Sequence, residues 1–312
     1  MDISVTPTLL GNGSLQKRSK VYTTGGRQPF GSVAELRSGH EALISLRFEF
    51  PDLAGATGLF TFRDTAGNML FLVTFPSETT LLRLDPFSEE VESVESDECG
   101  LDFDNPTLVI ASLGLKILQI TESCVAFYDQ LDRELWLRQT TKIEMPPGSR
   151  ILRADLSSHR MIAIAVHDGT SAYVQLITVH NSEAGLQLVT TGDRVQFAQV
   201  PSSVLLFEHN TCVYLFMGAG DGSFQVCKTD HTKGLGQLRS YQMDVPSSQA
   251  GPAVAESITV LTVNSGTDQG KQLLVCGLRN GSLYVAEFTS DVECKSSTPP
   301  VPEKVIVSHR LC

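Results

Sequence analysis

The chain is poor in the features that mark membrane, secreted or catalytic proteins. Its 312 residues contain no run of 18 uncharged apolar residues, so no segment reads as a spanning helix. Met1 to Leu10 has neither a basic start nor a long apolar middle, and no signal peptide is read there. The seven cysteines, at 99, 124, 212, 227, 276, 294 and 312, form an odd set without a Cys-x-x-Cys pair. That argues against a disulfide framework and for reduced thiols. Also missing are Gly-x-Ser-x-Gly, His-Glu-x-x-His, a phosphate loop and a dinucleotide fingerprint, so the common hydrolase, metalloprotease and nucleotide sites have no anchor. No stretch of helical length keeps an i, i+3, i+4 apolar stripe free of Gly or Pro, which excludes an α/β reading.

Basic charge is scarce too. With 24 Lys and Arg against 35 Asp and Glu, the net charge is −11, which repels a phosphate backbone over most of the surface. The one basic cluster, Lys17, Arg18 and Lys20, is read as a solvated strand edge. Ser88 to Asp104 holds eight acidic residues, including Glu89, Glu90, Glu92, Glu95, Asp97 and Glu98, and is read as an exposed strand with its loop.

The sequence is instead rich in short apolar runs punctuated by turns, with 25 glycines and 14 prolines spread between them. Four times an apolar run leads through Asn or Asp, then Gly and a hydroxyl residue, into a second run. These turns are Asn12-Gly13-Ser14, Asp168-Gly169-Thr170, Asp221-Gly222-Ser223 and Asn280-Gly281-Ser282. Such dipeptides are hairpin signals, and a two-residue type I′ turn, with both central residues at positive φ, is expected at each. Their positions fit a unit of roughly 50 residues with about four strands, the period of radially repeated sheets. Leu70 to Phe75 with Thr80 to Leu84, and Leu115 to Ile120 with Cys124 to Tyr128, supply strand pairs in the long first interval. The expected fold is all-β: a β-propeller of about six to seven four-stranded blades, complete or nearly so. The expected division is 1–30 as end strands of a preceding propeller or a first blade, 31–290 as the propeller, and 291–312 as a linker or flexible tail.

Candidate chemistry is thin. His209-x-x-Cys212 followed by Cys227-x-x-x-His231 has zinc-like residue types. A two-residue Asp221-Gly222 loop, however, would put Cys212 opposite His231 and Phe216 opposite Cys227. Cys227 and His231 would then stand roughly 13 Å apart along one strand, too far for a single ion. Gly218 to Gly222 is glycine-rich but has no helix after it to complete a phosphate cradle. His40, His159, His167, His180 and His309 nominate no active site, and Trp136 and Tyr128 read as packing residues. No catalytic, cofactor-binding or metal residue is therefore assigned, and no cofactor is expected.

Three stretches resemble a known family. They are Ile117-Leu118-Gln119-Ile120-Thr121 with Val125-Ala126-Phe127; Met161 to Val166 leading to Tyr173-Val174-Gln175-Leu176; and Pro201-Ser202-Ser203-Val204 with Tyr214-Leu215, Gly220-Asp221-Gly222-Ser223 and Gly234-Leu235. In order and spacing they are similar to the second propeller of the large damaged-DNA-binding subunit, the large cleavage and polyadenylation specificity factor subunit and the U2-associated splicing subunit. The likeness runs from about Leu9 to Ser290. It implies the last strands of a first propeller and most of a second. It also implies a nuclear, non-enzymatic scaffold that binds proteins of a multisubunit complex in DNA repair, mRNA 3′-end processing or splicing. Direct nucleic-acid binding is the main alternative and a propeller enzyme the lesser one.

Overall fold

The computed structural model describes residues 3–7, 19–25, 32–36, 53–63, 68–84, 91–95, 99–130, 137–157, 160–182, 185–209, 212–230, 234–242, 254–265, 268–279, 282–288 and 302–310. Among them there is no α-helix. The strands are β1 (Ile3–Pro7), β2 (Ser19–Gly25), β3 (Ser32–Leu36), β4 (Gly58–Arg63), β5 (Met69–Thr74), β6 (Thr79–Leu84), β7 (Val91–Val94), β8 (Thr107–Leu113), β9 (Lys116–Thr121), β10 (Cys124–Gln130), β11 (Leu137–Glu144) and β12 (Arg150–Leu156). They continue as β13 (Met161–His167), β14 (Ala172–Ser182), β15 (Gly185–Phe197), β16 (Pro201–His209), β17 (Cys212–Ala219), β18 (Ser223–Asp230), β19 (Gly234–Gln242), β20 (Ala255–Ser265), β21 (Asp268–Leu278), β22 (Ser282–Phe288) and β23 (Pro302–Arg310).

Strands join in chain order into antiparallel meanders: β1 to β3, then β4 to β7, β8 to β11, β12 to β15, β16 to β19 and β20 to β23. The described residues thus form five four-stranded sheets and one of three strands, where six to seven four-stranded blades were expected. The described residues before Gly58 contribute the three strands β1 to β3. First strands of the four-stranded sheets begin at Gly58, Thr107, Arg150, Pro201 and Ala255, which preserves the repeat of roughly 50 residues. The expected tail contains a strand, because Pro302–Arg310 pairs with β22 through Val285↔Val307 and Ala286↔Val305. The Val305-Ile306-Val307 run has the β-branched character that a strand favours.

The chain divides into two compact units, residues 1–121 with 125–140, and residues 122–124 with 141–312. In the first unit, β4 lies beside β8. In the second, β12 lies beside β16 and β16 beside β20. Within each unit, first strand thus sits next to first strand, and sheets that face one another in this way need apolar cover on the facing sides.

The sequence shows this directly. β17 is buried at all eight positions, which explains why Cys212–Ala219 reads as a continuous apolar run rather than an alternating one. Its odd residues Val213, Leu215 and Met217 join Ala163, Val174, Leu176 and Leu206 in one core cluster. Its even residues Tyr214 and Phe216 join Phe224, Val226, Ala255, Leu274 and Tyr284 in another. Burying a side chain such as Leu215 or Phe216 contributes about 2–3 kcal/mol. Outer strands differ: β11 and β15 are mostly exposed or half-buried, as befits strands with fewer neighbours.

Both described Asp-Gly hairpins form, though neither is a type I′ turn. Gly169 has φ 91° and Gly222 φ 84°, while neither Asp168 nor Asp221 has positive φ. Instead, each aspartate side chain closes its own turn. Asp168 Oδ1 accepts the Thr170 N–H at 3.0 Å and the Ser171 N–H at 2.8 Å; Asp221 Oδ1 accepts the Ser223 N–H at 2.8 Å. These carboxylate turns supply locally what a second left-handed residue would have supplied. Main-chain donors, that of Ser171 foremost, hold the Asp168 carboxyl far below the usual carboxylate range. The Ser223 hydroxyl and N–H lower Asp221 as well. The Asn12 and Asn280 turns lie outside the described residues.

Candidate interaction surface

What a propeller can offer a partner depends on which polar groups its sheet seams consume. In four of the five four-stranded sheets the first strand carries a register shift at the same place, one residue after its start or near it. The shifts fall between Thr107 and Val109, Ile151 and Arg153, Pro201 and Ser203, and Ala255 and Ser257. A bulge of this kind bends the strand and re-aims its side chains and carbonyls. Here they meet a neighbouring sheet.

Three seams show how this is used. Between the sheets of β4 to β7 and β8 to β11, Thr74 Oγ1 donates to Thr107 O at 2.9 Å, and Thr79 Oγ1 accepts the Thr107 N–H at 2.9 Å. Beneath them Gln119, fully buried, donates through Nε2 to Asp102 O at 2.8 Å and to Thr107 Oγ1 at 2.9 Å. Its Oε1 accepts the Asp102 N–H at 2.9 Å. Between β12 and β16, Arg153 Nε donates to Ser202 O at 2.9 Å, and Asp155 Oδ2 accepts the Leu206 N–H at 2.6 Å. Between β16 and β20, the hydroxyls of Ser202 and Ser203 both donate to Ala255 O, at 2.6 and 2.8 Å. Opposite them Gly218 is required: a Cβ there would stand 2.5 Å from Ser203 Oγ and 3.0 Å from Ser202 Oγ.

Asp155 is the one described carboxylate pushed upward. Burial raises it from 3.8 to about 6, against the lowering effect of the Leu206 and Leu156 N–H groups. The folded chain therefore binds more protons than the unfolded chain between about pH 4 and pH 6. The stability this group lends is fully present below pH 4 and is lost as pH rises through 6. An Asp155→Asn variant keeps an acceptor for Leu206 and removes the charge. Urea titration should show it gaining about 2 kcal/mol over the parent at pH 7, with no gain at pH 4. An equal offset at both values contradicts the assignment.

The zinc-like residues are separated. Cys227 pairs with Leu215 and Phe216 with Val226, one residue away from the expected register. The cause is the hairpin loop: Gly222 N donates to Ala219 O at 3.0 Å with Gly222 left-handed, a three-residue connection with a terminal glycine bulge. Cys212 then packs in one core cluster and Cys227 in the other, on opposite faces of the sheet. His209 pairs with Cys212 in the backbone register, and His231 lies outside the described residues. Among the described residues no group of three His, Cys, Asp or Glu is placed to hold a metal ion.

Burial pushes the Cys227 and Cys276 thiols up to about 12 and Cys99 to about 11, so little thiolate exists at neutral pH. Iodoacetamide should leave all three unmodified in the native chain and label them in urea. Rapid native labelling, read by peptide mass spectrometry, would show that these strands open.

Tyr128 is 2% exposed and is a packing residue, as its sequence setting suggests. His167 Nδ1 accepts the Gly169 N–H at 3.1 Å, and His180 Nε2 meets Thr178 Oγ1 at 2.9 Å. Trp136, His40 and His159 lie outside the described residues, as do Lys17 and Arg18; Lys20 is in β2 and His309 in β23. Of the acidic stretch, Glu92 and Glu95 are exposed, and Glu92 pairs with Arg83 Nη2 at 2.5 Å. Sequence reasoning missed the bulges and Asp155, since a register shift leaves no residue-type signal. Pro201-Ser202-Ser203 was the nearest one, with Pro at a strand start.

Among the described residues the exposed large apolar side chains are Leu115, Val189, Val200, Leu238 and Leu261. Leu115 stands at the β8–β9 hairpin tip beside Gly114 at φ 68°. Val189 and Leu238 lie on the outer strands β15 and β19.

No individual curated protein matches the chain. A family model described as the RSE1/DDB1/CPSF1 second beta-propeller matches residues 47–305, a span that includes Leu118-Gln119-Ile120-Thr121 and Pro201-Ser202-Ser203. With repeated meanders, first strands side by side and a match over most of its length, the chain belongs to the RSE1/DDB1/CPSF1 second beta-propeller family.

Proposed function

We propose that this chain is a non-enzymatic propeller scaffold that binds protein partners in a nuclear complex of the DNA-repair, mRNA 3′-end-processing or splicing type. The observation that carries the reading is the use of its polar side chains. Thr107, Arg153, Asp155, Ser202 and Ser203 are each engaged in seams between sheets, Gln119 ties β9 to Thr107 and to the connection before β8, and the outer strands β11 and β15 are mostly exposed or half-buried. Family membership supports the same reading. The net charge of −11 disfavours contact with nucleic acid except through other subunits.

Affinity purification of the tagged chain from its native nuclei, with mass spectrometry after a moderate-salt wash, tests this. Recovery of defined subunits of one such complex is the expected result. A chain recovered alone, yet binding plain DNA or RNA with a steep salt dependence, would favour the nucleic-acid reading instead.

A further inference from the structure

No further inference is drawn: the strongest candidate, the exposed face of the last sheet around Ser257, Thr259 and Leu261, repeats the position at which Ser203 meets the next sheet, and nothing in the structure shows what covers it.

Discussion

Replacing Gln119 with Leu should destabilise the chain by roughly 3–4 kcal/mol, more than any other single change considered, although the two side chains are similar in volume. The physical reason is that Gln119 satisfies three groups at once. It takes the Asp102 N–H and gives protons to Asp102 O and Thr107 Oγ1; Gln119 and Thr107 are buried and Asp102 is half-buried. Leu fills the space but leaves the Asp102 N–H and C=O without their amide partner and Thr107 Oγ1 with the Thr79 hydroxyl alone, and an orphaned buried donor or acceptor costs about 1–3 kcal/mol. Thr107 is itself tied to Thr74 and Thr79, so the loss spreads into the seam. Gln119→Glu at low pH, where the carboxyl is protonated, should lose less than Leu. The denaturation midpoint in urea reads both. A Leu variant as stable as the parent would mean that the Gln119 amide is dispensable.

The second large effect is at Gly218. An Ala Cβ there would lie 2.5 Å from Ser203 Oγ, 3.0 Å from Ser202 Oγ and 3.1 Å from the Ala255 Cβ. Something must give way: either the two hydroxyls leave Ala255 O, or β17 shifts from β16. Overpacking of this kind costs about 1–3 kcal/mol, and displaced hydrogen bonds add to it, so Gly218→Ala should cost roughly 2–3 kcal/mol. The cause can be isolated by a double-mutant cycle. Ser203→Ala alone removes one of two donors to Ala255 O and should cost about 1 kcal/mol. Made together with Gly218→Ala, it removes the closest clash, so the pair should cost clearly less than the two changes added. Strict additivity would place the strain elsewhere.

These two positions also show how far the sequence could be read. Leu118-Gln119-Ile120-Thr121 and Pro201-Ser202-Ser203 carried the family likeness as letters, and the seams give them reasons: an amide bridging two segments, and hydroxyls aimed at the next first strand. The strand meanders were legible because middle strands such as β13 and β17 are continuous apolar runs between turn residues. Register was not. The three-residue Gly220–Gly222 loop differs from a two-residue one only in backbone geometry, and its one-residue shift moved Cys227 from Phe216 to Leu215. Asp155 was equally hidden, for its upward shift comes from burial in the folded chain, against the lowering effect of the Leu206 and Leu156 N–H groups. The count of four-stranded blades was overestimated because a period fixes the length of a unit and not the number of units.

The most direct measurement is hydrogen exchange, read by mass spectrometry on the chain alone and on the chain within the complex that captures it. Exchange should be slow in β9, β13, β14 and β17 in both states, since seams and buried cores hold them. New protection in the complex should fall on turns and outer strands such as the β8–β9 tip, β15 and β19. Fast exchange in the buried strands of the free chain, or new protection confined to the seam around Asp155, Ser202 and Ser203, would contradict a scaffold whose polar groups are already spent.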